Sequence, residues 1–118
     1  MAWLERQRAD SLFLSTVSVA QMMSGIEAIP AGEKREVLSQ ATERIVARLF
    51  ADRILPFDIA AARAYGLAKM RARTQNIDIP ILEAQLAATA LSRGYALATR
   101  YPAPFLAAGV STINPWTD

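Results

Sequence analysis

An α/β domain with a parallel sheet covered by helices is predicted from three observations. Short apolar segments, Leu12-Phe13-Leu14-Ser15, Tyr95-Ala96-Leu97-Ala98-Thr99 and Val110 to Ile113, have the length and composition of buried strands. Between them, apolar residues recur at helical spacing with charges opposite. The 118-residue length suits one domain, 1–118, around one core, with no internal repeat or low-complexity segment.

Taken in order, Ser15 or Thr16 can cap a first helix through Val17, Ala20, Met23 and Ile26, ending near Ala28-Ile29-Pro30. A second helix is expected from about Glu33 to Phe50, with Leu38, Ala41, Ile45 and Leu49 on one face. Ile54-Leu55-Pro56 has the character of a very short strand. Asp58 is a good N-cap for a third helix, whose Ala61, Tyr65, Ala68 and Ala72 share a face. Asn76 to Pro80 breaks it, Pro80 suits the first position of a fourth helix, and Gly94 stops that helix.

Composition narrows the chemistry. Hydrophobic residues make up 53% and charged ones 20%, as in a globular chain. With no Cys there is no thiolate nucleophile or zinc–thiolate site, and with no His there is no Ser–His triad or His ligand. Carboxylates with a hard cation, or Lys, Ser, Thr and Tyr, remain for catalysis. Charged or amide side chains interrupt every apolar run, so no membrane span is expected. The charged start, Met1 to Arg6, does not read as a secretory signal, and a cytoplasmic location is expected. A net charge of +2 does not by itself argue for a nucleic-acid partner.

On a helical wheel the fourth helix places Gln85, Thr89, Ser92 and Arg93 on one polar arc. Glu83 falls away from it, between Leu86 and Ala87. A carboxylate on an apolar flank needs a cation, a metal or a hydrogen-bond donor. Alternatively, Glu83 simply complements the dipole of the first turn. Lys69, Arg71 and Arg73, near the end of the third helix, could hold phosphates or complement a helix C-terminus. Trp3 and Trp116 suit core or interface anchoring, and Met22 and Met23 packing against a neighbouring helix.

The string Leu12 to Gln21 followed by Gly25 resembles the second strand and helix of PIN-domain toxins of the VapC/FitB type. Phe50 to Asp58 is similar to that family's third strand and cap, and Ile81 to Ala90 to its acidic helix. Ala96 to Arg100 and Ile113-Asn114-Pro115-Trp116 are similar to its last two strands. The resemblance spans nearly the whole chain and implies a PIN-like three-layer α/β/α fold with a short parallel sheet. It also implies a toxin of a toxin–antitoxin or plasmid-stability system, bound by a small antitoxin near Gln21 and Glu83 and forming a homodimer. The family's activity is RNA cleavage with Mg²⁺ or Mn²⁺ held by several carboxylates, which orient a water and offset charge on phosphorus.

Carried over position by position, most of those carboxylates are missing. The first acid follows an opening strand that has no counterpart here, because Ala2-Trp3-Leu4 matches the helix after it. The second, a Glu, is Gln21, and the third, usually Asp, is Glu83. The last acidic region reads Tyr101-Pro102-Ala103-Pro104-Phe105. Glu83 is thus the retained catalytic and metal-binding candidate, Gln21 a neutral replacement, and Thr99 and Arg100 the substrate-binding candidates. Asp78 is expected to serve as a turn residue and Glu27 to face solvent. Impaired or absent nuclease activity follows, with RNA a partner only if activity survives. The alternatives are an inactive antitoxin-binding or dimerisation module, or the remnant of a decaying plasmid-stability gene.

The family's opening strand is central in its sheet. Its absence would leave inner strand edges unpaired, each buried group costing about 1–3 kcal/mol against a total stability of about 5–15 kcal/mol. Direct pairing of the flanking strands, a strand from another chain, an upstream start or a remnant gene would each answer that cost.

Overall fold

Ser15 ends a two-residue strand, β1 (Leu14–Ser15), and caps the helix that follows, α1 (Thr16–Glu27). Its backbone is extended, and its Oγ accepts the Val17 N–H at 3.0 Å, satisfying one of the donors that a helix start leaves unpaired. The computed structural model describes residues 12–115, which fall into two compact units, 12–56 and 57–115. Trp3 and Trp116 lie outside the described residues.

In the first unit, α1 packs against α2 (Glu33–Arg44), and Met22 and Met23 of α1 are half-buried. Glu33 and Glu36 lie in the first turn of α2 and Arg44 in its last, complementing the dipole. Glu27, exposed at the end of α1, pairs with Arg35 near the start of α2. The expected helix to Phe50 changes winding: residues Ile45–Leu49 form a π-helical segment, closed by the Phe50 N–H donating to the Ile45 carbonyl. Wider winding rotates the later residues off the α-helical face. Leu49 is accordingly exposed; Leu38, ahead of the change in winding, is exposed as well while Thr42 is buried, so the expected four-residue apolar face is only partly covered.

Strand β2 (Ile54–Leu55) pairs in parallel with β1, Leu14 opposite Ile54 and Ser15 opposite Leu55. Arg53 fastens this end of the unit. Its Nε donates to the Leu12 carbonyl at 3.0 Å, its Nη2 donates to the Leu49 carbonyl, and its guanidinium lies 5.3 Å from the Phe50 ring centroid.

The second unit is built on a helical hairpin, α3 (Ile59–Thr74) and α4 (Ile81–Arg93). Asp58 caps α3 by accepting the Ala61 N–H at 3.0 Å. The predicted face is the buried one: Ala61, Ala68 and Ala72 have no exposed surface, and Tyr65 packs at the edge of the core. Ala84 and Ala87 of α4 are equally buried, so methyl groups let the two helices approach closely. Pro80 stands one position earlier than expected, as the N-cap, and its extended ψ of 156° leads into the helix. Gly94 ends α4 in the left-handed conformation, φ 68°, that favours glycine.

Strand β3 (Leu97–Ala98) pairs in parallel with β4 (Thr112–Ile113), and the bond from the Thr99 N–H to the Ile113 carbonyl extends the ladder. Between them a short helix, α5 (Ala103–Ala107), buries Phe105 and Ala107 in the core beside Ile79 and Val110. Among the described residues the strands form two parallel pairs, β1–β2 in the first unit and β3–β4 in the second, rather than one hydrogen-bonded sheet. No helix among the described residues is long and apolar enough to cross a membrane.

Candidate functional site

Glu83 sits in the first turn of α4 and is half-buried. Its backbone position follows from Pro80, whose missing N–H and ring bar a helix from running through it and whose carbonyl accepts the first bond, from the Ala84 N–H at 2.9 Å. The flank around it is apolar, as the wheel indicates, with Ala84 and Ala87 buried and Leu86 half-buried. The position suits the helix dipole.

The polar arc of α4 is not its solvent face. Thr89 is 2% exposed, whereas Ile81 is 64% exposed. Three of its groups find partners, two on the helix's own backbone and one across to the start of α3. Thr89 Oγ1 donates to the Gln85 carbonyl at 2.8 Å, Ser92 Oγ to the Thr89 carbonyl at 2.9 Å, and Arg93 reaches Asp58 at 3.1 Å.

Ahead of Glu83, the ammonium of Lys69 crosses from α3 to the loop before α4. It donates to the Ile79 carbonyl at 3.0 Å and lies 3.7 Å from Asp78, whose side chain is 95% exposed. Lys69 is thus engaged inside its own hairpin rather than offered to phosphates. Its spacing of ten residues from Ile79 carries no sequence signal, because only the hairpin geometry brings the two together. Arg71 and Arg73 stand in the last turn of α3, where they complement its C-terminus. The Arg71 side chain lies over Gly109, at a φ of 93°: an added Cβ would stand 2.6 Å from Nη1.

Thr99 and Arg100 follow β3. Thr99 Oγ1 accepts the Tyr101 N–H at 3.1 Å, tightening the turn into α5, and Arg100 is exposed. The segment matching the family's last acidic region forms the exposed Tyr101 and the start of α5, with Pro102 as its N-cap and Pro104 in its first turn. Gln21 is exposed on α1 in the other unit.

Among the described residues, no three Asp, Glu, His or Cys side chains gather closely enough to hold a metal ion. Mg²⁺ and Mn²⁺ call for six oxygen ligands with carboxylate charge among them. Glu83 without two further such side chains beside it does not supply that set. The donors described here therefore do not fit the family's cation. A shallow cavity of about 280 Å³ opens between Leu91, Gly94, Tyr95, Gly109 and Ser111, and Glu83 does not line it.

No family model matches the chain. Individual proteins do. The chain is 39% identical over 116 residues to the VapC ribonuclease Y4jK of Sinorhizobium fredii, covering 98% of this chain and 83% of that protein. It is 36% identical over 114 residues to the plasmid stability protein StbB of Pseudomonas syringae pv. tomato, covering 97% and 82%. With toxin FitB of Neisseria gonorrhoeae the identity is 36% over 118 residues, covering 100% and 85%. Among solved structures, a FitAB complex bound to an IR36 DNA fragment superposes with a TM-score of 0.92 at 36% identity, over 99% of this chain and 82% of that one. The FitAcB structure from Neisseria gonorrhoeae gives 0.92 at 35% identity, over 99% and 84%. The PIN-like α/β fold expected from the strand and helix strings is the fold found. On identity, coverage and fold together, the chain belongs to the VapC/FitB family of toxins.

Proposed function

We propose that this chain is the toxin-side member of a toxin–antitoxin pair, with RNA cleavage by the family's Mg²⁺- or Mn²⁺-assisted route impaired or lost. The observation that carries the reading is the state of the acidic positions. Gln21 is neutral, Tyr101 to Pro104 contain no acid, and Glu83 alone keeps its charge. One carboxylate and neutral oxygens bind a hard cation weakly. What such a chain retains is a binding function: a small antitoxin received around Gln21 and Glu83, and a second copy of itself. Exposed apolar side chains such as Val37 and Leu49 in one unit, and Leu67 and Met70 in the other, are compatible with protein partners. RNA is a partner only if cleavage survives, and a cytoplasmic location suits that pairing.

The test is co-expression with the small protein encoded beside it in a bacterial host. A stable complex, with no growth arrest when the chain is expressed alone, is the expected result. Growth arrest that Glu83→Ala relieves would overturn the claim of impaired cleavage, and failure to form any complex would overturn the binding claim.

A further inference from the structure

The start of α4, which carries Glu83, has no side-chain cap. Its N-cap is Pro80, which has neither a side-chain acceptor nor an N–H. The chain enters it from Ile79, 1% exposed and packed in the core. Being followed by proline, Ile79 is held extended, and its carbonyl is outside any helical ladder. A carbonyl held in that position needs a donor. Lys69 supplies it from α3, with Nζ at 3.0 Å, while its own side chain is 24% exposed. Asp78, the neighbouring acid, is almost fully exposed at 3.7 Å and adds little.

The geometry points to Lys69 as the positioning residue for Glu83: it fixes the Ile79–Pro80 entry and thereby the first turn on which the retained carboxylate stands. The inference rests on the reading of Glu83 as the charged group left at the site. A carboxylate that serves a site is effective only if its backbone is held. In a helix start without a cap, the first turn otherwise frays. Lys69 caps none of the N–H groups of that turn; it holds instead the carbonyl of the chain that leads into it.

The experiment is amide hydrogen exchange on the full chain and three variants, Lys69→Met, Lys69→Arg and Asp78→Asn, without metal, RNA or partner. Methionine keeps the length and packing but has no donor, whereas arginine keeps the donor. The expected result is exchange of the Ala84 amide at least about tenfold faster in Lys69→Met, with amides late in α4, at Ala90 and Leu91, unchanged. Lys69→Arg restores the slow rate, and Asp78→Asn leaves it as it was. Uniform acceleration along α4 in Lys69→Met, or no change at Ala84, would overturn the assignment; so would acceleration in Asp78→Asn equal to that in Lys69→Met. Should Lys69→Met fail to fold, Lys69→Arg decides the matter: slow exchange at Ala84 supports the donor role and fast exchange removes it. Because no partner enters this measurement, its failure is separate from failure of the toxin–antitoxin reading, which the co-expression test registers.

Discussion

Arg93 Nη2 donates to Asp58 Oδ2 at 3.1 Å, joining the last turn of α4 to the N-cap of α3. The same carboxylate accepts the Ala61 N–H at 3.0 Å through its other oxygen, so one acid caps one helix and ties down the end of the next. The Ala61 N–H, with lesser help from the Arg93 charge, holds the Asp58 carboxyl below its ordinary value.

A pH dependence follows from that shift. Asp58 titrates lower in the folded chain than in the unfolded one, so its contribution is present above the unfolded value and is lost as pH falls through the folded value. Asparagine caps nearly as well but carries no charge. Melting temperatures of the wild type and Asp58→Asn, measured from about pH 7 down to about pH 2, should differ at neutral pH and converge in acid. A gap that stays constant across that range would exclude the charge as its source.

The hairpin depends on alanine at the α3–α4 contact. Ala68, Ala72, Ala84 and Ala87 have no exposed surface, and a larger side chain has nowhere to go. Ala87→Leu is expected to cost about 1–3 kcal/mol in urea unfolding. A neutral or stabilising outcome would mean that the helices can separate to admit it.

Phe105 anchors α5 and is 5% exposed in the core. Its truncation to alanine should cost about 3–5 kcal/mol, a large share of the stability of a domain this size. Equilibrium unfolding of Phe105→Ala measures it directly.

Gly109 is required twice over, by its φ of 93° and by the Arg71 side chain lying over it. Gly109→Ala is expected to destabilise by more than about 1 kcal/mol. Placed in an Arg71→Ala background, the same substitution should cost less, because the steric part is gone and only the backbone strain remains. Equal costs in the two backgrounds would show that Arg71 moves aside freely.

The fold was legible where local chemistry and tertiary packing agree. Asp58 as a cap, Gly94 as a stop and the Ala61–Ala72 face follow from capping and periodicity, and each is found in the structure. The π-helical Ile45–Leu49 segment was not legible, because IVARL is as compatible with an α-helix and no residue type marks the change of winding. Helix α5 was hidden by Pro102 and Pro104, which suggest loop but are tolerated at a helix start. The strands shrink to two residues each, since Leu12, Tyr95 and Val110 lie outside the paired register. Glu83 and the neutral Gln21 are candidates by sequence alone, one in each unit. The burial of Thr89 was not legible, because it depends on hydroxyl bonds to the helix's own backbone. Lys69 over Ile79 is likewise a product of the hairpin alone.

Whether this chain still cleaves RNA is decided most directly with purified protein, Mn²⁺ and a single-stranded RNA, beside a Glu83→Ala control. The expected result is no cleavage by the wild type above that control. Mn²⁺-dependent cleavage by the wild type that disappears in Glu83→Ala would contradict a dismantled metal site.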